Sequence, residues 1–235
     1  MSLEIVLTLL LAGVVMLDAT PAGQTLFSQP LVTASLIGLL WGNWPVAIGV
    51  GIVLQILAAS TLPVGARTPE DYAMGGIIGA TLAVMLASAE PYAMAQDASR
   101  LLGCLVGLIA ATLGVPLLRA QRRQNEGLGR WVEERVRGGD AAALGVAQGA
   151  AVVLAFAIGV TFAAVCLGLG VWALRPLVAH ESIRLARAWA LAEPLWLGLG
   201  LAQLLHAFVQ RRLTRAALFG AALLATWLVV MVGQP

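Results

Sequence analysis

The 235-residue chain is 60% hydrophobic and only 11% charged, with a mean hydropathy of +0.91. An ordinary soluble domain carries about 25% charged residues, and one core of this size cannot hide so many apolar runs from water. Composition therefore excludes a soluble enzyme and points to an all-α, polytopic integral membrane protein, while a formal net charge of +2 is too small to suggest nucleic acid as a partner.

A first apolar helix is predicted from about Leu3 to Leu17. Its start carries Glu4 in place of the positive leader of a cleaved signal peptide, so it reads as a retained helix. Asp18 opens a polar, turn-rich stretch that runs to Gln24 and leads through Ser28-Gln29-Pro30 into the next apolar run. That run is cut at Gly42-Asn43-Trp44-Pro45. Pro45 has no N–H and disfavours helix at the residue before it, so the run is expected as two pieces. The first piece, from Pro30 to Trp41, is about 12 residues long, and a helix crossing hydrocarbon needs about 20. The second carries an amide at Gln55 and stops at a Pro/Gly loop holding Arg67, Glu70 and Asp71. Short, interrupted apolar segments leave backbone N–H and C=O groups free near mid-membrane, which is how transporters build solute sites. Segment 18–72 is therefore the expected functional centre.

The next predicted span, from Met74 to Ala89, is closed by Glu90-Pro91. Another, from about Ala98 to Leu118, leads into segment 119–140, where six Arg stand against four acids. With Leu128, Trp131 and Val132 on one face, that segment is expected to lie in the membrane interface as an amphipathic helix. Ala141 to Leu174 is long enough for one tilted helix or for a helix plus a re-entrant piece. A polar connection from Arg175 to Arg187 follows, then a span from Trp189 to Val209, then Arg211-Arg212 with Arg215, and finally Ala216 to Val232. The whole, 1–235, reads as a single membrane domain of about 6 to 8 membrane helices, some broken or re-entrant. The two most basic connections are separated by two spans, so both can lie on the cytoplasmic side, where short loops concentrate basic residues.

No glycine phosphate loop with Lys, no HExxH, no paired-Cys motif and no nucleophile–base spacing is present. The chain is read as a non-enzyme without catalytic residues, metal or cofactor. Cys104 and Cys166 sit in apolar runs as small hydrophobes. Polar residues inside spans are functional candidates because each is costly in lipid. Gln55 offers two donors and an acceptor, which suits sugar hydroxyls, or else serves a helix–helix hydrogen bond. Asp71 and Glu70 can accept from hydroxyls, but an Asp before an apolar helix is also an ordinary N-cap. Arg67 neutralises an acid, attracts an anion or anchors at the membrane edge. Asp18, Gln24 and Asn43 can line the same cavity, and Glu193 is a secondary candidate. Trp41 and Trp44 flank the break, where an aromatic face can stack on a sugar ring.

The run Ser28-Gln29-Pro30-Leu31-Val32, then Gly38-Leu39-Leu40-Trp41-Gly42-Asn43, the amide-bearing helix from Gly51 to Leu57, Leu62-Pro63-Val64-Gly65-Ala66 and Pro69-Glu70-Asp71 together resemble a known family. It is the membrane IIC subunit of the mannose/fructose/sorbose family of the bacterial phosphoenolpyruvate-dependent sugar phosphotransferase system. The stretch from Arg122-Arg123-Gln124-Asn125 to Gly138-Gly139-Asp140 and that from Arg211 to Leu218 look similar as well. The resemblance implies a sugar permease subunit of the bacterial cytoplasmic membrane. It further implies a IID membrane partner in an oligomeric complex, and a cytoplasmic IIB (IIAB) subunit whose phosphohistidine supplies the phosphoryl group. Family members usually carry Asp at the position of Asn43 and Glu at that of Gln55. Both departures remove a negative charge and keep a hydrogen-bonding side chain. The alternative is a non-transporting membrane sensor or scaffold that keeps the permease fold.

Overall fold

The computed structural model describes residues 2–19, 25–59, 70–89, 93–209 and 211–232. Among them are seven α-helices and no strand: α1 (Leu3–Ala19), α2 (Pro30–Leu40), α3 (Trp44–Ala58), α4 (Tyr72–Ala89), α5 (Ala93–Arg137), α6 (Ala143–Phe208) and α7 (Arg212–Val232). Three of them, α4, α5 and α6, are long and apolar enough to cross a membrane. The polytopic all-α membrane architecture expected from composition is the one observed.

The apolar run after Pro30 breaks where the sequence indicates. Pro30 starts α2, where a missing N–H is harmless, and Gln29 before it is extended. At the other end Gly42 takes a left-handed φ of +67°. The Asn43 N–H donates to the Gly38 carbonyl at 3.0 Å and the Gly42 N–H to that of Leu39, the Schellman pattern that stops a helix. Pro45 then stands in the first turn of α3. The two helices pack side by side as a hairpin because their contact face is small. A Cβ on Gly51 would lie 2.5 Å from the Ala34 Cβ. At about 16 and 22 Å, neither arm reaches across about 30 Å of hydrocarbon.

Helices α4 and α5 form the wall behind this hairpin, and most of α4 is buried. They approach at backbone distance: a Cβ on Gly79 would sit 2.6 Å from the Gly103 carbonyl oxygen, and the reverse holds for Gly103. Val50 of α3 fills the remaining space beside both glycines. On the other side, α1 packs against α6, with Gly159 against Ala12 and Met16.

Two expectations are corrected. The basic segment 119–140 is no separate interfacial helix, because α5 continues unbroken from Ala93 to Arg137. Arg, Gln and Glu are good helix formers, so the change from apolar to charged at Arg119 marks a change of surroundings rather than a helix end. This arm extends about 28 Å past Leu118 and ends at Gly139, which has φ +89°. Likewise, the polar stretch from Arg175 to Arg187 is helical apart from one residue, Glu181, whose φ of −122° and ψ of 20° bend α6. The bend is sharp. A straight helix would put Gly170 and Gly200 about 45 Å apart, yet Gly170 packs on Leu82 of α4 and Gly200 on Ile56 of α3, within one bundle. The second arm of α6 therefore runs back alongside the first. This return brings Arg211, Arg212 and Arg215 to the same end of the bundle as the basic arm of α5. Helix α7 lies outside, with nearly all of its described side chains exposed.

Candidate functional site

The hairpin has a base, where α2 begins and α3 ends, and a tip at Trp41-Gly42-Asn43. Polar side chains gather at the base. Asp18, at the end of α1, is buried, and its carboxylate collects three hydrogen bonds. Oδ1 accepts from the Thr25 N–H at 2.8 Å and the Thr25 hydroxyl at 2.7 Å, and Oδ2 accepts from the Ser28 N–H at 2.8 Å. These bonds hold the turn that feeds α2, including Leu26 with its left-handed φ of 68°.

Gln55 closes the same layer from α3. Its Oε1 accepts from the Leu31 N–H at 3.2 Å, one of the free donors at the start of α2, and its Nε2 donates to Gln29 Oε1 at 2.8 Å. Of the two uses the sequence left open for this amide, the structure displays the helix–helix bond. Gly76 of α4 backs onto Pro30, so the second turn of α4 stands beside the first turn of α2. Asp71 caps α4 there: Oδ1 accepts from the Met74 N–H at 3.1 Å, while the Asp71 N–H donates to the Ala111 carbonyl at 2.9 Å. Its side chain is buried against Gly114 of α5. The N-cap reading is thus the geometry found, and Glu70 precedes it, half-buried.

Asn43 is not brought to this layer. It sits at the tip, about 18 Å along α3 from Gln55. Gln24 and Arg67 lie outside the described residues. The expected constellation therefore divides, with Asp18, Gln55, Glu70 and Asp71 toward the base and Asn43 at the opposite end.

Two polar groups hold the tip. The Trp41 indole N–H donates to the Thr8 hydroxyl at 3.0 Å. On the other side Arg100 of α5 lays its stem over Gly49, donates from Nη2 to the Pro45 carbonyl at 3.3 Å, and pairs through Nη1 with Asp97 at 2.6 Å. Arg100 was not among the residues singled out from the sequence; an Asp-x-x-Arg spacing at the start of an apolar run was the available signal. Thr25 was missed also, and it could be read only with knowledge that the chain turns back onto Asp18.

Among the described residues no group of His, Cys, Asp and Glu is arranged to hold a metal. Cys104 and Cys166 are both free thiols. The layer at the base combines amide donors and acceptors with a carboxylate, and the bonds described here run within the chain.

The family model described as "PTS system sorbose-specific iic component" matches residues 2–234 of the chain. No curated protein matches it. Among solved structures, one described as "Structure of membrane protein" is similar over 97% of this chain and 96% of its own, with 17% sequence identity and a TM-score of 0.69, a likeness of fold.

Proposed function

Because the chain belongs to the PTS sorbose-specific IIC component family, we propose that it is the subunit that holds a sugar in the bacterial cytoplasmic membrane and moves it across. In this reading it works beside a IID membrane subunit and presents the sugar to a cytoplasmic IIB chain, which carries out the phosphoryl transfer. One feature carries this role: a hairpin whose arms are too short to span, closed at its base by an amide pair and a buried carboxylate. Gln55 and Asp18 would hold the sugar hydroxyls, with Glu70 and Asp71 at the neighbouring helix start and the loop residues Gln24 and Arg67 close by in sequence. Asn43, at the tip, would meet the sugar on its way in. The basic arm of α5 and the cluster at Arg211 and Arg212 extend from the base end, so the positive-inside rule puts the base toward the cytoplasm and the tip outside. A site near the inner surface suits delivery to a cytoplasmic phosphoryl donor.

Vesicles containing this chain, its IID partner and phosphorylated IIB are expected to accumulate sugar phosphate from an external hexose or amino sugar. No accumulation with any such sugar, from a complex shown to be assembled, overturns the transport role. A second reading, a sensor or scaffold that keeps the permease fold, is favoured by one observation. The Gln55 amide and both Asp18 oxygens already have partners within the chain, so the base is self-satisfied without a solute.

A further inference from the structure

Glu193 is the only acidic residue between Arg187 and Arg211, and it stands in the apolar second arm of α6. It is half-buried, and among the described residues no hydrogen bond or ion pair reaches its carboxylate. Trp189 and Trp196, one turn to either side, share its helix face, and their rings meet edge-on with centroids 6.2 Å apart. A carboxylate set among indoles inside a membrane is costly unless a cation can reach it.

The register of the helices supplies that cation. The first arm of α6 rises to the tip, where Trp172 and Trp41 line one cavity. The second arm therefore runs from tip to base, as α3 does, and its Gly200 packs on Ile56. Two turns back toward the tip, about seven residues on each helix, Glu193 is level with Gly49, which shares a face of α3 with Ile56. Arg100 of α5 lies on that same glycine, since a Cβ there would sit 3.1 Å from its Nε. A second observation agrees: Glu193 interacts electrostatically with the buried Cys104, one turn along α5 from Arg100. Arg100 is also incompletely used where it lies. Nη1 holds Asp97 and Nη2 holds the Pro45 carbonyl, but Nε is shut in against α3 without an acceptor.

We propose that Arg100 is a two-position latch for the hairpin tip. In the position observed, Nη2 ties the first turn of α3 to α5 through Pro45. In the second position the guanidinium turns away from α3 and along α5 to the Glu193 carboxylate, and Pro45 is released. The five donors of the fork let Asp97 stay bound on one edge while Glu193 takes another. Little opposes the exchange, because the Pro45 carbonyl keeps its bond within α3 while Nε and Glu193 both gain a partner. The base of the hairpin takes no part. The latch concerns movement of the tip and stands whether or not the chain carries sugar.

The test is hydrogen exchange on the full chain in phospholipid nanodiscs, read at residues 44–49. Glu193→Gln removes the second position and keeps the side chain's size. Taking an unpaired charge out of apolar surroundings should leave folding intact. Exchange at 44–49 is expected to be several-fold slower than in wild type, with residues 25–33 unchanged. With Arg100→Gln already present, Glu193→Gln should make no further difference. Unchanged or faster exchange at 44–49 in Glu193→Gln overturns the latch, as does equal slowing in the Arg100→Gln background, where the effect could not pass through the guanidinium.

Discussion

The two ends of the α2–α3 hairpin are fastened by different physics. At the base, the Asp18 carboxylate satisfies three donors and Gln55 satisfies a helix N-terminus and a second amide, so loosening this end breaks five hydrogen bonds together. At the tip, the chain is positioned by the shape of Gly42 and by two side chains reaching in from α1 and α5, with an apolar cavity alongside. This difference predicts that the tip opens more readily than the base. A hairpin that opened in this way would hinge at its inner end, beside the residues proposed to hold the sugar.

The largest effect is expected from a change that disturbs both ends at once. Gly51→Val puts a side chain where a Cβ alone already lies 2.5 Å from Ala34, so the arms must separate along their length. Overpacking of this kind costs about 3 kcal/mol. Thermal denaturation in detergent should show a clear loss of stability or no folded protein. A variant as stable as wild type would mean that the arms are not packed as tightly as the contact at Gly51 requires.

Asp18→Ala acts on the base alone. It leaves the Thr25 N–H, the Thr25 hydroxyl and the Ser28 N–H without an acceptor, a loss of about 2–3 kcal/mol. Asp18→Asn keeps an acceptor at Oδ1 for the two Thr25 bonds and should lose roughly half as much. Hydrogen exchange is expected to accelerate at residues 25–33 and to stay unchanged around the tip. If Asn and Ala variants melt together, the three bonds contribute nothing separable.

What could be read from the sequence here follows from how local each signal is. The break at Gly42-Asn43-Trp44-Pro45 was legible because Gly and Pro act on their own backbone, and the N-cap at Asp71 because a cap acts within one helical turn. Gln55 stood out as an amide in an apolar run. Its partner Gln29 did not, since the two meet only after the hairpin closes. The bend at Glu181 reads in the sequence as a polar connection because Arg and His suggest water, whereas the chain reverses there at a single residue without leaving the helix on either side. The same confusion of polarity with helix ends split α5 at Arg119. Positions decided by local backbone chemistry could thus be read directly, while those decided by long-range pairing could not.

Gln55 separates the structural role of the base from its proposed use by a sugar. Gln55→Ala removes two hydrogen bonds at a half-buried position, with a stability change of about 1 kcal/mol, and is expected to weaken sugar binding at least tenfold. Gln55→Glu keeps an acceptor for the Leu31 N–H, and the Gln29 amide can turn to donate to the new carboxylate. That variant should fold as wild type and bind sugar at least as well. Isothermal titration with the assembled complex measures both. Unchanged affinity in Gln55→Ala would remove the amide from the site while leaving its role in joining the helices.

The smallest expected effect lies at the tip. Arg100→Gln removes the ion pair with Asp97 and the donor to the Pro45 carbonyl, but both charged side chains are partly exposed, so the stability change should stay under about 1 kcal/mol. The informative readout is local. Backbone amides at residues 44–49 should exchange several-fold faster with solvent, since the first turn of α3 loses its tie to α5, while residues 25–33 keep the wild-type rate. A base that accelerates in step with the tip would show that the hairpin opens as one unit, and the contrast between a fixed inner end and a yielding outer end would not hold.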